Sequence, residues 1–151
     1  LSVEQDLLKK FQEKNWTLAF AESCTGGDLA ARLTKVPDAS KVFLGSIVAY
    51  SELVKKELLG IPEELFPDQV VSEAMTKEMI RGLMDLLDVT VAVSVTGYAG
   101  PSGAEVGKIW VAYQKKGEEP KAEQLNLKGN REEIIRQAGD IIFGYLKDKL
   151  V

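Results

Sequence analysis

Residues 89–95, VTVAVSV, are β-branched and apolar almost throughout. This is the pattern of a central strand buried on both faces, which requires helices packed above and below its sheet. The surrounding pattern supplies them. Ser2-x-x-Gln5 is a capping box opening a helix over 2–14, with Leu7, Leu8 and Phe11 on its apolar side. A short apolar strand over 16–21 runs into a turn at 23–27 and a helix over 28–34 that ends near Pro37. A second strand is expected at 42–50, then a helix over 52–59 capped by Ser51 and stopped by Gly60 and Pro62. After a loop at 61–71, Ser72 caps a long helix to about Leu87, with Met75, Met79, Leu83 and Leu86 near one face as core filler. A glycine-rich loop, 96–107, follows the central strand. Residues 108–114 and 122–127 form a hairpin across KKGEEP, and Asn130-x-x-Glu133 opens a last helix to Leu150. Ile134, Ile135, Ala138, Ile141, Ile142, Tyr145 and Leu146 make its apolar side. Without repeats or a linker, residues 1–151 read as one α/β domain, a mixed sheet between helices.

Composition narrows the chemistry. A hydrophobic fraction of 45% in 151 residues can build a core without disulfides or metal. The net charge of -4 argues against broad nucleic-acid binding. No apolar run approaches the ~20 residues of a membrane helix, and the amphipathic LSVEQDLLKKF start is not a signal peptide. With Cys24 as the one cysteine, the expectation is a reducing, cytoplasmic setting. The chain opens on Leu1 rather than Met, which leaves room for an upstream domain. Zero histidines exclude Ser-His-Asp and Cys-His catalysis and the common zinc motifs; a carboxylate-bound Mg site stays open without a motif to support it, and no metal or cofactor is expected. Acid-base work falls to Lys, Tyr, Asp, Glu or water.

Four constellations remain. Ala21-Glu22-Ser23-Cys24-Thr25-Gly26-Gly27 lies between a strand and a helix, where ligands gather in α/β sheets. Its amides suit an oxyanion or phosphate; they equally suit a well-capped turn, with Cys24 packed beneath it. Tyr50-Ser51-Glu52-Leu53-Val54-Lys55 also joins a strand to a helix, with Ser51 and Lys55 on one helical face. Lys55 reads either as a desolvated base or as a surface lysine, while Lys56, about 100° away, reads as solvated. Thr96-Gly97-Tyr98-Ala99-Gly100-Pro101-Ser102-Gly103 follows the buried strand and lacks a P-loop ending. Arg131, in the run Gly129 to Arg136, begins the last helix, where the dipole disfavours a cation; anion contact and surface exposure both explain it there.

Together these motifs resemble the C-terminal domain of the competence/damage-inducible protein CinA family. AESCTGG at 21–27 with Ala30, Val48-Ala49-Tyr50-Ser51 with Lys55, Leu58-Leu59-Gly60, Val71-Ser72-Glu73, Thr96-Gly97 with Ala99-Gly100-Pro101, Val106-Gly107, and Gly129 with Arg131 carry the resemblance. It implies a three-layer α/β/α sandwich and a serine-lysine amidohydrolase acting on nicotinamide mononucleotide (NMN), a pyridine nucleotide. By that comparison Ser23 is the nucleophile, Lys55 the base, and Arg131, or else Arg136, an assisting arginine. Thr25, Gly26 and Gly27 would supply oxyanion donors. Tyr50, Thr96, Gly97, Ala99 and Gly100 would hold the nucleotide. Self-association into a homo-oligomer is a mild expectation of the same resemblance. Two departures bear on substrate rather than fold: the run AGPSGAEVG is shorter than the family's third loop, and Glu52 stands where the family commonly has Asn, which leaves a differently specific or non-catalytic nucleotide-binding module as the alternative.

Overall fold

The computed structural model describes residues 1–150. Helix α1 (Val3–Glu13) leads to strand β1 (Leu18–Glu22), and helix α2 (Asp28–Thr34) to β2 (Phe43–Val48). Helices α3 (Glu52–Leu59) and α4 (Glu73–Leu86) cross to β3 (Val91–Gly97). The hairpin β4 (Lys108–Lys115) and β5 (Lys121–Asn126) and helix α5 (Arg131–Tyr145) complete the order. The five strands lie in the order β2-β1-β3-β4-β5. Strand β1 is parallel to β2 and β3, and the hairpin adds antiparallel strands beside β3. The sheet is therefore mixed, as its pattern requires.

Side chains alternate across this sheet, and the two faces differ in size. Leu18, Phe20, Val91, Val93, Val95, Val111 and Tyr113 point into one core with α1, α2 and α5. Ala19, Ala21, Ala92 and Ala112 face the other core, where Met75, Met79, Ile80 and Leu83 of α4 pack directly over them. Small strand residues let the α4 axis come close, and the flexible methionines fill the remaining space. Val91 to Thr96 are all buried, and the Ser94 hydroxyl at the middle of this strand donates to the Thr76 carbonyl at 2.7 Å. A buried hydroxyl left unpaired would be costly, so this bond lets a polar residue sit in the centre.

Caps stop the helices where their residues predict. Ser2, Ser51, Ser72 and Asn130 each accept a backbone N–H of the first turn, and Gly60 ends α3 in a left-handed conformation. Several expectations change at the edges. Short 3₁₀ turns occupy 39–41 and 63–65, the latter inside the expected loop. The second strand spans Phe43–Val48 rather than 42–50. Leu86 is 56% exposed and Ile141 37% exposed, so both leave the apolar faces assigned to them. The last helix is α-helical only to Tyr145 and widens to π geometry over Leu146–Leu150. No helix among the described residues is long and apolar enough to cross a membrane.

Candidate active site

The parallel strands bring three loops to one edge of the sheet. Glu22, the last residue of β1, is level with Val48 of β2 and Val95 of β3. The backbone continues this register past the strand ends: Ser23 N–H donates to Val95 C=O at 3.0 Å, and Ala49 N–H to Glu22 C=O at 2.8 Å. Residues Ser23, Tyr50 and Thr96 therefore emerge side by side at the carboxyl ends of β1, β2 and β3, around the point where the β1–β2 connection runs to one side of β1 and the β2–β3 connection returns to the other. That is the position at which open α/β sheets bind ligands.

A cavity of about 340 Å³ lies there. Ser23, Tyr50, Lys55, Thr96, Gly97, Ala99, Gly100 and Arg131 all line it. Cys24, Val70, Val71, Tyr98 and Ser102 complete the wall. The two valines come from the segment just before α4. Their apolar character gave no functional signal, because loop valines ordinarily pack rather than bind.

Lys55 reaches the cavity from the first turn of α3, placed by the Ser51 cap. Its Nζ lies 2.8 Å from Ser23 Oγ and donates to the Tyr50 carbonyl at 3.0 Å. Only 1% of the residue is exposed, and no carboxylate forms an ion pair with it among the described residues. Burial therefore pushes the amine below its ordinary value, opposed by the nearby Cys24 sulfur. The desolvated-base alternative fits Lys55, and the surface alternative does not. Lys56 lies on the surface, as expected, where it pairs with Glu52 at 2.8 Å and with Glu63. Glu52 thus turns along α3 and is not among the cavity's lining residues.

Arg131 bridges the opposite wall. Its guanidinium donates to the Gly100 carbonyl and, at 3.1 Å, to the Tyr50 hydroxyl. These contacts explain a cation in the first turn of α5, since they join the glycine-rich loop to the β2 loop across the cavity. Thr96 is 1% exposed, and its hydroxyl donates to the Val70 carbonyl at 2.9 Å. It holds the wall together with its side chain already committed. Cys24 is buried, and burial pushes its thiol up to about 12, which keeps it protonated and unreactive.

The AESCTGG turn divides differently from its expected roles. Thr25, Gly26, Gly27 and Arg136 line a separate depression of about 660 Å³ between α2 and α5, not the Ser23 cavity. The Gly26 amide is used by Ser23 C=O at 3.1 Å, and the Gly27 amide by Glu22 Oε1 at 3.2 Å. Gly26 and Gly27 are therefore corrected from oxyanion donors to turn residues with left-handed φ of 58° and 101°. Arg136 is separated from the dyad by the same geometry, leaving Arg131 as the arginine at the cavity. Among the described residues, the Cys24 and Thr25 amides have no backbone hydrogen-bond acceptor, as expected for the two central residues of a turn closed by Ser23 C=O and Gly26 N–H.

Glu22 was passed over in the sequence pattern. Its carboxylate is fully buried and accepts five hydrogen bonds. Oε1 takes the Thr25 hydroxyl at 2.7 Å, the Gly27 amide and the Leu29 amide at 3.0 Å. Oε2 takes the Ala30 amide at 3.2 Å and the Ser46 hydroxyl at 2.7 Å. The anion at the start of α2 is thus the protein's own. An acidic residue closing an otherwise apolar strand was the available signal.

Comparison with known proteins agrees with this architecture. The CinA C-terminal domain family matches residues 1–150. A CinA-like protein of Dictyoglomus turgidum is 39% identical over 138 residues, covering 88% of this chain and 33% of that protein. A CinA-like protein of Prochlorococcus marinus (strain NATL1A) is 40% identical over 108 residues, covering 71% of this chain and 25% of its own length. The chain therefore spans a third or less of these relatives. Among solved structures, competence damage-inducible protein A (ComA) of Klebsiella pneumoniae superposes with a TM-score of 0.93 at 31% identity, covering 98% of this chain and 94% of that one. The competence or damage-inducible protein of Enterobacter asburiae gives 0.92 at 25% identity, covering 99% and 96%. This chain belongs to the CinA C-terminal domain family.

Proposed function

We propose that this domain is a serine-lysine amidohydrolase that converts NMN to nicotinic acid mononucleotide and ammonia. The observation that carries the reading is the 2.8 Å contact between Lys55 Nζ and Ser23 Oγ, with a buried amine that has no carboxylate partner. A lysine so placed gives up its proton more readily than one in water and can serve as a base.

Neutral Lys55 takes the Ser23 hydroxyl proton as Oγ attacks the carboxamide carbon. The carbonyl π pair moves to oxygen, where the amide of Cys24, a residue of the cavity wall, is the available donor. As the tetrahedral intermediate collapses, the C–N bond breaks and protonated Lys55 delivers its proton to the departing nitrogen, releasing ammonia. Water then attacks the ester carbon, passing a proton to Lys55. The C–Oγ bond breaks, and the proton returns to Ser23. Arg131, beside Tyr50 and Gly100, supplies a fixed positive charge for an anionic substrate group. The free, buried Cys24 is compatible with a reducing cytoplasm.

The test is direct incubation with NMN across a range of pH, following ammonia and nicotinic acid mononucleotide together. Equimolar release of both is the expected result. No release at high protein concentration would remove NMN as substrate. A panel of other carboxamides addresses the second reading, a related amidohydrolase of different specificity. The observation favouring it is that the short 101–107 loop contributes only Ser102 to the cavity wall.

A further inference from the structure

The geometry points to Glu22 as the residue that positions the nucleophile, acting as an internal anion that holds the Ser23 turn in its reactive shape. This rests on Ser23 being the nucleophile. Glu22 does not face the cavity, and its five hydrogen bonds are all made behind the turn. They gather three separate parts of the chain. Thr25 and Gly27 belong to the turn itself, Leu29 and Ala30 to the first turn of α2, and Ser46 to the neighbouring strand β2. The adjacent Ser23 is thereby fixed from both sides: β3 holds its amide, and the Glu22 carboxylate holds the segment that follows it.

The same bonds select which amides remain available. Gly27, Leu29 and Ala30 would otherwise present unsatisfied N–H groups at a helix start. Glu22 accepts all three, and Ser23 C=O accepts Gly26. Cys24 and Thr25 are left without backbone acceptors next to the nucleophile. A carboxylate can accept at both oxygens, whereas a carboxamide accepts at one and donates at the other. Glu22→Gln keeps the shape but sets an NH₂ group against either the Ala30 amide or the Gly27 and Leu29 amides. The turn must then relax, and the Ser23–Lys55 contact with it. Being a positioning effect, the loss falls on the chemical step and leaves substrate affinity largely alone.

The experiment compares the parent protein with Glu22→Gln and Ser46→Ala in two assays: NMN turnover, and labelling of Ser23 by a fluorophosphonate probe followed by peptide mass spectrometry. In labelling, Oγ bonds to phosphorus, fluoride leaves, and Lys55 takes the hydroxyl proton, so no substrate recognition is required. The expected result for Glu22→Gln is a fall in kcat of tenfold or more with KM within about twofold, and labelling slowed in parallel. Ser46→Ala, which removes one bond of five, loses two- to threefold in both. Parent-like kcat and labelling in a folded Glu22→Gln protein would overturn the role. If Glu22→Gln does not fold, the Ser46→Ala labelling rate decides: slowed labelling with native circular dichroism supports the role, and an unchanged rate overturns it. A parent protein that labels at Ser23 without turning over NMN would refute the substrate and leave positioning to be judged on labelling rates. Neither labelling nor turnover in the parent would remove the nucleophile and its positioning residue together.

Discussion

Lys55 carries opposing demands in one side chain. An amine that is 1% exposed is penalised when charged, and burial accordingly lowers its proton affinity. Between this lowered value and the ordinary 10.5, the unfolded chain binds a proton that the native state does not. Native stability therefore rises with pH through that window. Below it both states are protonated and the penalty is constant; above 10.5 it vanishes. Lys55→Met removes the penalty, so thermal unfolding should show the variant's advantage over the parent greatest below this window and lost in strong alkali. The same substitution should cost about 10²–10⁴-fold in kcat, the usual worth of a general base. At Arg131, substitution by Lys keeps the charge but cannot span Gly100 and Tyr50, and should raise KM by about tenfold, the worth of one charge-assisted hydrogen bond. The residue types were legible in the sequence, yet their local physics left Ser23 and Lys55 balanced against a plain capped turn and a surface lysine. It was the resemblance that singled them out. Glu22 showed in the sequence only as an acidic residue closing an apolar strand, because its significance lies in contacts with Ser46 and with α2 amides that a linear pattern does not pair.

At the scale of elements, caps and periodicity located nearly every helix and strand, since a cap is a local contact between residues three apart. What escaped was decided by neighbours distant in sequence. Leu86 continues the spacing of Met75, Met79 and Leu83 but lies beyond the sheet's cover. The α3–α4 contact is equally unreadable from periodicity. At Gly82, inside α4, an added Cβ would sit 2.1 Å from the Leu59 carbonyl oxygen. Gly82→Ala, favourable by helix propensity alone, should therefore destabilise the fold by about 1–3 kcal/mol as the helices are forced apart. Urea unfolding measures this directly, and a stabilised variant would show the contact to be yielding. Ser51→Ala should cost about 1 kcal/mol through the lost Val54 cap, with an added loss of activity because α3 carries Lys55.

The whole molecule combines two cores of different texture on one five-stranded sheet. Both faces are covered within 150 residues, although the chain spans only 33% of its Dictyoglomus turgidum relative. A domain so organised should unfold as one cooperative unit, with Trp fluorescence and far-ultraviolet circular dichroism giving coincident denaturant midpoints. The sheet also explains why the site residues could be scattered over more than 100 positions and still meet: parallel register brings the ends of β1, β2 and β3 to one edge, and α5 returns Arg131 to it. We propose this edge as a serine-lysine catalytic centre. The most direct measurement is NMN turnover by the parent, Ser23→Ala and Lys55→Ala proteins, each verified as folded. Ammonia release by the parent and a fall of at least about 10²-fold in both variants are the expected results. Turnover that persists in either folded variant would contradict the proposal.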